Sequence, residues 1–236
     1  MGRPLGNPED LSKRARAQFD GLSWSRFVGM GDSIMEGELG DPSAGWPEMG
    51  WFQQVSEAFQ SIKRDLVYKN VAKRYQKSSE ILETQLSPAL DFEPDLVVIT
   101  TGGNDMLVDR FDLRRSEANQ EAIVAPLVES GATVFVGTMY DIFKAGVMPK
   151  ELHDLLEPRF QELCQMTREV TARCGATLID FAIEPICSDP TLYSADLQHG
   201  SRRGQGIAAQ IVVDHMAQYA AAERGAALAA DEPPSK

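Results

Sequence analysis

Two kinds of apolar pattern alternate along the chain. Short runs rich in β-branched and aromatic residues fall at Arg26–Met30, Leu66–Val71, Leu96–Thr101, Thr133–Thr138 and Thr177–Ile179. Longer segments with apolar residues at helical steps follow them: Trp51–Ser61, Ser78–Leu90, Ser116–Glu129, Leu152–Arg173 and Ser201–Glu223. In the fourth of these, Leu152, Leu155, Leu156, Phe160, Leu163 and Met166 lie on one stripe. Strand then helix, repeated five times, predicts a parallel sheet with helices on both faces. The continuous run Leu96, Val97, Val98, Ile99 fits a strand covered on both sides. In open sheets of this kind, chemistry gathers at the carboxyl ends of the strands.

The ends of the chain lack this pattern. Residues 1–22 are polar and read as an arm or a short helix over Pro8–Phe19; residues 23–224 form the α/β domain; residues 225–236 read as a flexible tail. The whole length of 236 residues suits one large domain. With 23 Lys and Arg against 35 Asp and Glu, the net charge is −12. That sign repels phosphate backbones and anionic lipid, so neither nucleic acid nor membrane is an expected partner. No apolar stretch approaches the roughly 18 residues needed to span a bilayer. Cys164, Cys174 and Cys187 are widely spaced and form no ligand pattern, which predicts free thiols, no metal and a reducing compartment. The first twenty residues have no leader-like apolar core, so the reading is cytoplasmic. Nothing in the sequence fixes the oligomeric state.

Three segments at predicted strand ends carry chemistry. Gly31-Asp32-Ser33 follows the first strand, where a tight turn can present a hydroxyl and an N–H to an oxyanion. Turn chemistry and an N-cap explain the same residues. Thr100 to Asp105 (TTGGND) closes the third strand, with Gly102 and Gly103 permitting close approach and Asn104 offering an amide; an Asx turn is the alternative. Asp196 and His199 precede the last helix. An imidazole suits general-base work near neutral pH, and a carboxylate three residues before it can fix its tautomer. The other histidines, His153 and His215, fall within helical segments.

Taken in order, Gly-Asp-Ser, Gly-Gly-Asn-Asp and Asp-x-x-His resemble the SGNH (GDSL-type) hydrolase superfamily. The runs GDSIMEG (Gly31 to Gly37) and DLVVITTGGND (Asp95 to Asp105) carry the likeness, which extends from about Ser25 to Glu223. No Gly-x-Ser-x-Gly elbow of the ordinary α/β-hydrolases is present. The resemblance implies a three-layer α/β/α sandwich of flavodoxin-like topology, with strand order 2-1-3-4-5. It implies a serine esterase working without cofactor or metal on a small-molecule acyl ester or thioester. Ser33 would be the nucleophile, His199 the base, and Asp196 its orienter. Ser33 and Asn104 match the family's oxyanion donors, with Asp32 and Gly103 beside them. An acyltransferase or other acyl-processing enzyme, and a non-catalytic binding scaffold, are the alternatives.

The family's second block departs here. It runs Asn70-Val71-Ala72-Lys73-Arg74-Tyr75, with Tyr75 where the family has the glycine whose N–H is a further oxyanion donor; the resemblance implies that the Tyr75 N–H keeps that role. A positive φ at a residue with a Cβ costs roughly 1 kcal/mol or more. The Tyr75 ring would either narrow the pocket or pack against Trp46 or Trp51. Gly200 replaces the proline that often follows the histidine, which predicts a looser loop. Glu36, Glu38 and Asp41 read as a solvated acidic loop, or as a site for a cation. Lys73, Arg74 and Lys77 read as a solvated face, or as a seat for a substrate anion. Tyr140 to Met148 reads as a lid over an acyl pocket, or as a packed loop.

Overall fold

The computed structural model describes residues 10–19 and 21–230. Its strands are β1 (Arg26–Gly31), β2 (Val67–Asn70), β3 (Leu96–Thr100), β4 (Thr133–Gly137) and β5 (Thr177–Ile179). They form one parallel sheet in the order β2-β1-β3-β4-β5. Among the described residues the α-helices are α1 (Leu11–Gln18), α2 (Ser33–Glu36), α3 (Trp51–Ile62), α4 (Ser78–Leu90), α5 (Gly103–Met106), α6 (Leu113–Glu129), α7 (Lys150–Arg173) and α8 (Arg202–Ala230). This is the three-layer α/β/α architecture expected from the alternation and the resemblance.

Side chains alternate between the two faces of the sheet, as the pleat requires. Phe27, Leu96, Val98 and Phe135 point into a largely aromatic core under α1, α3 and α8. Val28, Met30, Val97, Ile99, Val134 and Val136 point into an aliphatic core under α4 and α6. The aromatic side is knit by ring contacts such as Phe27 on Phe52, with centroids 4.8 Å apart. Such pairs add about 0.5–1.5 kcal/mol beyond the area they bury.

Boundaries moved where capping or edge position decided them. β2 is shorter than its apolar run, since it is the edge strand and Val67 is exposed. α6 starts at Leu113, before Ser116, because the Asp112 carboxylate accepts the Arg115 N–H at 3.1 Å. α8 continues past Glu223 to Ala230, so part of the segment read as a tail is helical, and residues 231–236 lie outside the described residues. Within the segment read as an arm, α1 buries Ala15 and the residue after it, Phe19, is buried too. The Arg14 guanidinium is buried and meets Asp214 of α8, Nε to Oδ1 at 2.8 Å. All three cysteines are free, with Cys164 and Cys187 buried and Cys174 half-buried. Among the described residues no helix is long and apolar enough to cross a membrane.

Candidate active site

β1 ends in a sharp turn that the sequence forces. Gly31 has φ +149°, and a Cβ there would stand 2.4 Å from the Thr100 carbonyl oxygen. Only glycine fits. Gln85 of α4 grips this glycine from both sides: its Nε2 donates to the Gly31 carbonyl at 2.8 Å and its Oε1 accepts the Gly31 N–H at 2.9 Å. Asp32 then caps α2, accepting the Ile34 N–H at 3.1 Å. Ser33 is the first residue of that helix and is 7% exposed. Asn70, at the end of β2, donates its amide to the Met35 carbonyl at 2.9 Å and steadies the same short helix.

β3 leads into α5 through Gly102, at φ +97°. The Asp105 carboxylate accepts the Ser78 N–H at 2.8 Å and the Ser116 hydroxyl at 3.1 Å, tying α5 to α4 and α6. Asn104 Nδ2 donates to the Gln76 carbonyl at 2.9 Å, which fixes the plane of the amide.

The third segment is braced from outside. Tyr193 pairs with Gly200 in an antiparallel bridge, and the Ser194 N–H donates to the His199 carbonyl at 2.9 Å. Gly200, from which the sequence predicts a looser loop, is thus tied into a bridge. Asp41 accepts the Ala195 N–H at 2.7 Å, so this member of the acidic loop is a brace for the histidine loop. His199 Nδ1 lies 2.7 Å from Asp196 Oδ2, and His199 Nε2 lies 2.9 Å from Ser33 Oγ. Asp196 Oδ1 also accepts the N–H groups of Gln198 and His199, each at 3.0 Å. Partial burial works against ionisation of Asp196, yet the imidazole and these N–H donors hold it below the usual carboxylate range. Asp32 goes the other way. Complete burial pushes it up to about 6, against the opposing pull of the Ile34 N–H and of His199.

These segments meet at one cavity of about 140 Å³. Ser33, Gly103, Asn104 and His199 form its polar wall, with Asp32 beneath Ser33. Met139, Ile142, Phe143, Met148, Leu156 and Phe160 form its apolar end. The Tyr140 to Met148 segment is thus a wall of the cavity, with Phe143 buried in the cluster beneath it.

Of the residues singled out by sequence, Ser33, His199, Asp196, Asn104, Gly103 and Asp32 come together here. Tyr75 stands apart. Its backbone has φ +66°, as the block-II position suggested, but its ring is 71% exposed and lines no part of the cavity. The ring neither narrows the pocket nor packs against Trp46 or Trp51. Glu36 and Arg74 pair with each other, Nε to Oε2 at 2.9 Å, so neither is an open ion seat. His153 faces Phe143, and the His215 ring meets the Ile211 carbonyl at 3.0 Å. Gln85, which clamps the first glycine turn, was not found from sequence, and Asp105 was named only as the last residue of its motif, without its role of tying α5 to α4 and α6. A lone Gln on a helix carries no local signal of the strand end it will clamp.

The sequence pattern described as the GDSL-like Lipase/Acylhydrolase family matches residues 30–207. Among solved structures, the chain is similar to the lipase/acylhydrolase from Enterococcus faecalis, with 22% identity over 83% of this chain and 96% of that one, at a TM-score of 0.64. It is similar to the psychrotrophic esterase EstA from Pseudoalteromonas sp., at 18% identity over 83% and 98% of the two chains, TM-score 0.64. It also resembles the acetyl xylan esterase Axe2 from Geobacillus stearothermophilus, at 17% identity over 83% and 95%, TM-score 0.64. At these identities the likeness to solved structures speaks to the fold. No curated protein matches the chain at a significant level.

Proposed function

The chain belongs to the GDSL-like lipase/acylhydrolase family, and on that premise we propose a serine esterase that cleaves small apolar acyl esters through an acyl-enzyme on Ser33. The observation that carries this reading is the unbroken chain Asp196, His199, Ser33, with links of 2.7 and 2.9 Å, on the wall of an apolar cavity. Residues 23–224 are the catalytic unit in this reading.

Ser33 Oγ attacks the ester carbonyl while its proton passes to His199 Nε2. Asp196 holds the Nδ1–H, which selects the tautomer with a free Nε2 lone pair and stabilises the imidazolium. The carbonyl oxygen becomes an oxyanion and takes hydrogen bonds from the Ser33 N–H, the Tyr75 N–H and Asn104 Nδ2. Asn104 has one amide hydrogen committed to Gln76, which leaves the other for the oxyanion. His199 then gives its proton to the leaving alcohol. Water, deprotonated by His199, cleaves the acyl-enzyme. The acyl chain lies against Met139, Phe143, Leu156 and Phe160. The Tyr75 ring faces solvent and leaves the cavity unaltered.

Turnover of p-nitrophenyl acetate and butyrate tests the proposal. Ser33→Ala should lower it at least about a thousandfold and abolish the covalent adduct with a fluorophosphonate. Turnover indifferent to Ser33→Ala refutes the nucleophile. Absence of both turnover and adduct in the unaltered chain identifies a binding scaffold instead.

A further inference from the structure

Glu38 sits where the nucleophile's own turn ends. Gly37 closes α2 at φ +93°, and the Glu38 N–H donates to the Ser33 carbonyl at 3.1 Å. Its main chain is therefore fixed to Ser33. Its side chain reaches toward the imidazole, with Oε2 3.8 Å from His199 Nε2. That nitrogen is the one facing Ser33 Oγ. Glu38 Oε2 is shielded from solvent and has no hydrogen-bond partner among the described residues. A carboxylate oxygen in that condition carries a desolvation cost that a proton donor would relieve. The other oxygen, Oε1, lies 3.7 Å from Arg74 Nη1. Arg74 is itself held by Glu36, which accepts both its Nε and its main-chain N–H, at 2.9 and 3.0 Å.

Resting on the reading of Ser33 and His199 given above, we propose that Glu38 is a positioning residue of the reaction: a second carboxylate, on the Nε2 side of His199, that pairs with the imidazolium while Ser33 is acylated. In the resting state Arg74 holds it back, and Ser33 keeps its 2.9 Å bond to Nε2. When Ser33 Oγ attacks, its proton moves to Nε2 and the imidazole becomes a cation. Glu38 then has the donor it lacks. A shift of about 1 Å closes the gap to a charge-assisted bond of about 2.8 Å. The proton next passes from Nε2 to the leaving alkoxide, and Glu38 ends the cycle unchanged. Asp196 holds the opposite nitrogen throughout, so the imidazolium is stabilised from both sides.

The groups facing His199 come from three places: Asp196 on its own loop, Asp32 at the end of β1, and Glu38 after α2, with Arg74 behind Glu38. Glu38→Gln keeps the shape and removes the charge; Glu38→Asp keeps the charge and withdraws it. Two measurements separate this proposal from its premise. In the intact chain without substrate, the NMR titration of His199 should fall by about half to one pH unit in Glu38→Gln, and by less in Glu38→Asp. On p-nitrophenyl butyrate, kcat should drop about three- to tenfold with KM within about twofold, because the interaction strengthens only as charge develops. A His199 midpoint that moves by less than about 0.2 units, or an unchanged kcat beside a Ser33-dependent wild-type rate, overturns the role of Glu38. A chain with no Ser33-dependent turnover overturns the premise, and the titration still decides whether Glu38 and His199 are coupled. Should Glu38→Gln fail to fold, Glu38→Asp carries both readouts.

Discussion

Lengthening the acyl chain of the ester one step at a time probes the cavity directly. The space of about 140 Å³ is close to the roughly 150 Å³ that holds a benzene molecule between Leu, Ile and Phe side chains. It therefore admits roughly six carbons beyond the carbonyl. Each methylene moved from water to the apolar wall gains about 0.8 kcal/mol, or about fourfold in kcat/KM. Four methylenes separate acetate from hexanoate, so the ceiling on the rise is about 250-fold, less the cost of ordering the chain. The p-nitrophenyl esters from acetate to decanoate should show kcat/KM climbing through hexanoate and breaking before octanoate. Leu156, on α7 and at the cavity wall, sets that break. Leu156→Ala should move it about two carbons longer, at about 2–5 kcal/mol of stability. A profile flat or falling from acetate onward, or a break that Leu156→Ala leaves in place, would show that the acyl group does not occupy this space.

Other perturbations test the frame around the site. Tyr75→Gly relieves about 1 kcal/mol of left-handed strain and gives back about 0.5–1 kcal/mol through the unfolded chain, so stability should hold within about 0.5 kcal/mol. Because the ring lies outside the cavity, the chain-length optimum should also hold; a shifted optimum would place the ring at the substrate. Asp32 titrates near 6 when folded and 3.8 ordinarily, so the folded chain binds this proton more tightly. Its contribution to stability therefore falls as pH rises from about 4 to 6, and Asp32→Asn should gain up to about 3 kcal/mol on wild type at pH 7 but nothing near pH 3.5. Urea melts at pH 4 and 7 showing the same gap would refute this. Gln85→Leu strands the buried Gly31 N–H, which should cost about 1–3 kcal/mol and slow fluorophosphonate labelling of Ser33; a variant unchanged in both would release Gln85 from its clamping role.

What the sequence reveals here is what periodicity and strand ends can carry. The five strands and the long helices follow from apolar spacing, and the parallel sheet brings its carboxyl ends to one rim. Ser33 and Asn104 meet because β1 and β3 are neighbours. The link from Ser33 to His199 spans most of the chain, and it was legible only through the resemblance. The short helices α2 and α5 showed in the sequence at most as possible caps beside a turn, since four residues offer no periodicity to read. The fate of the Tyr75 ring was also hidden. Its backbone strain follows from its place in the second block, but the direction of its side chain depends on neighbours that only the folded chain supplies. Glu38 and Asp41 looked like one acidic loop; one faces an imidazole and the other fastens a loop, a difference set by contacts more than a hundred residues away.

α8 has one further consequence. It supplies Ile207, Ile211, Val212, Val213 and Met216 to the aromatic side of the sheet, and its Asp214 receives Arg14 from α1. A ribosome delivers β1 and its serine long before this helix. Until α8 clears the exit tunnel, the nascent chain carries this flank of the sheet only partly covered, by α1 and α3. The imidazole that completes the site, three residues before α8, is set in place at nearly the same moment as the helix that finishes covering that flank.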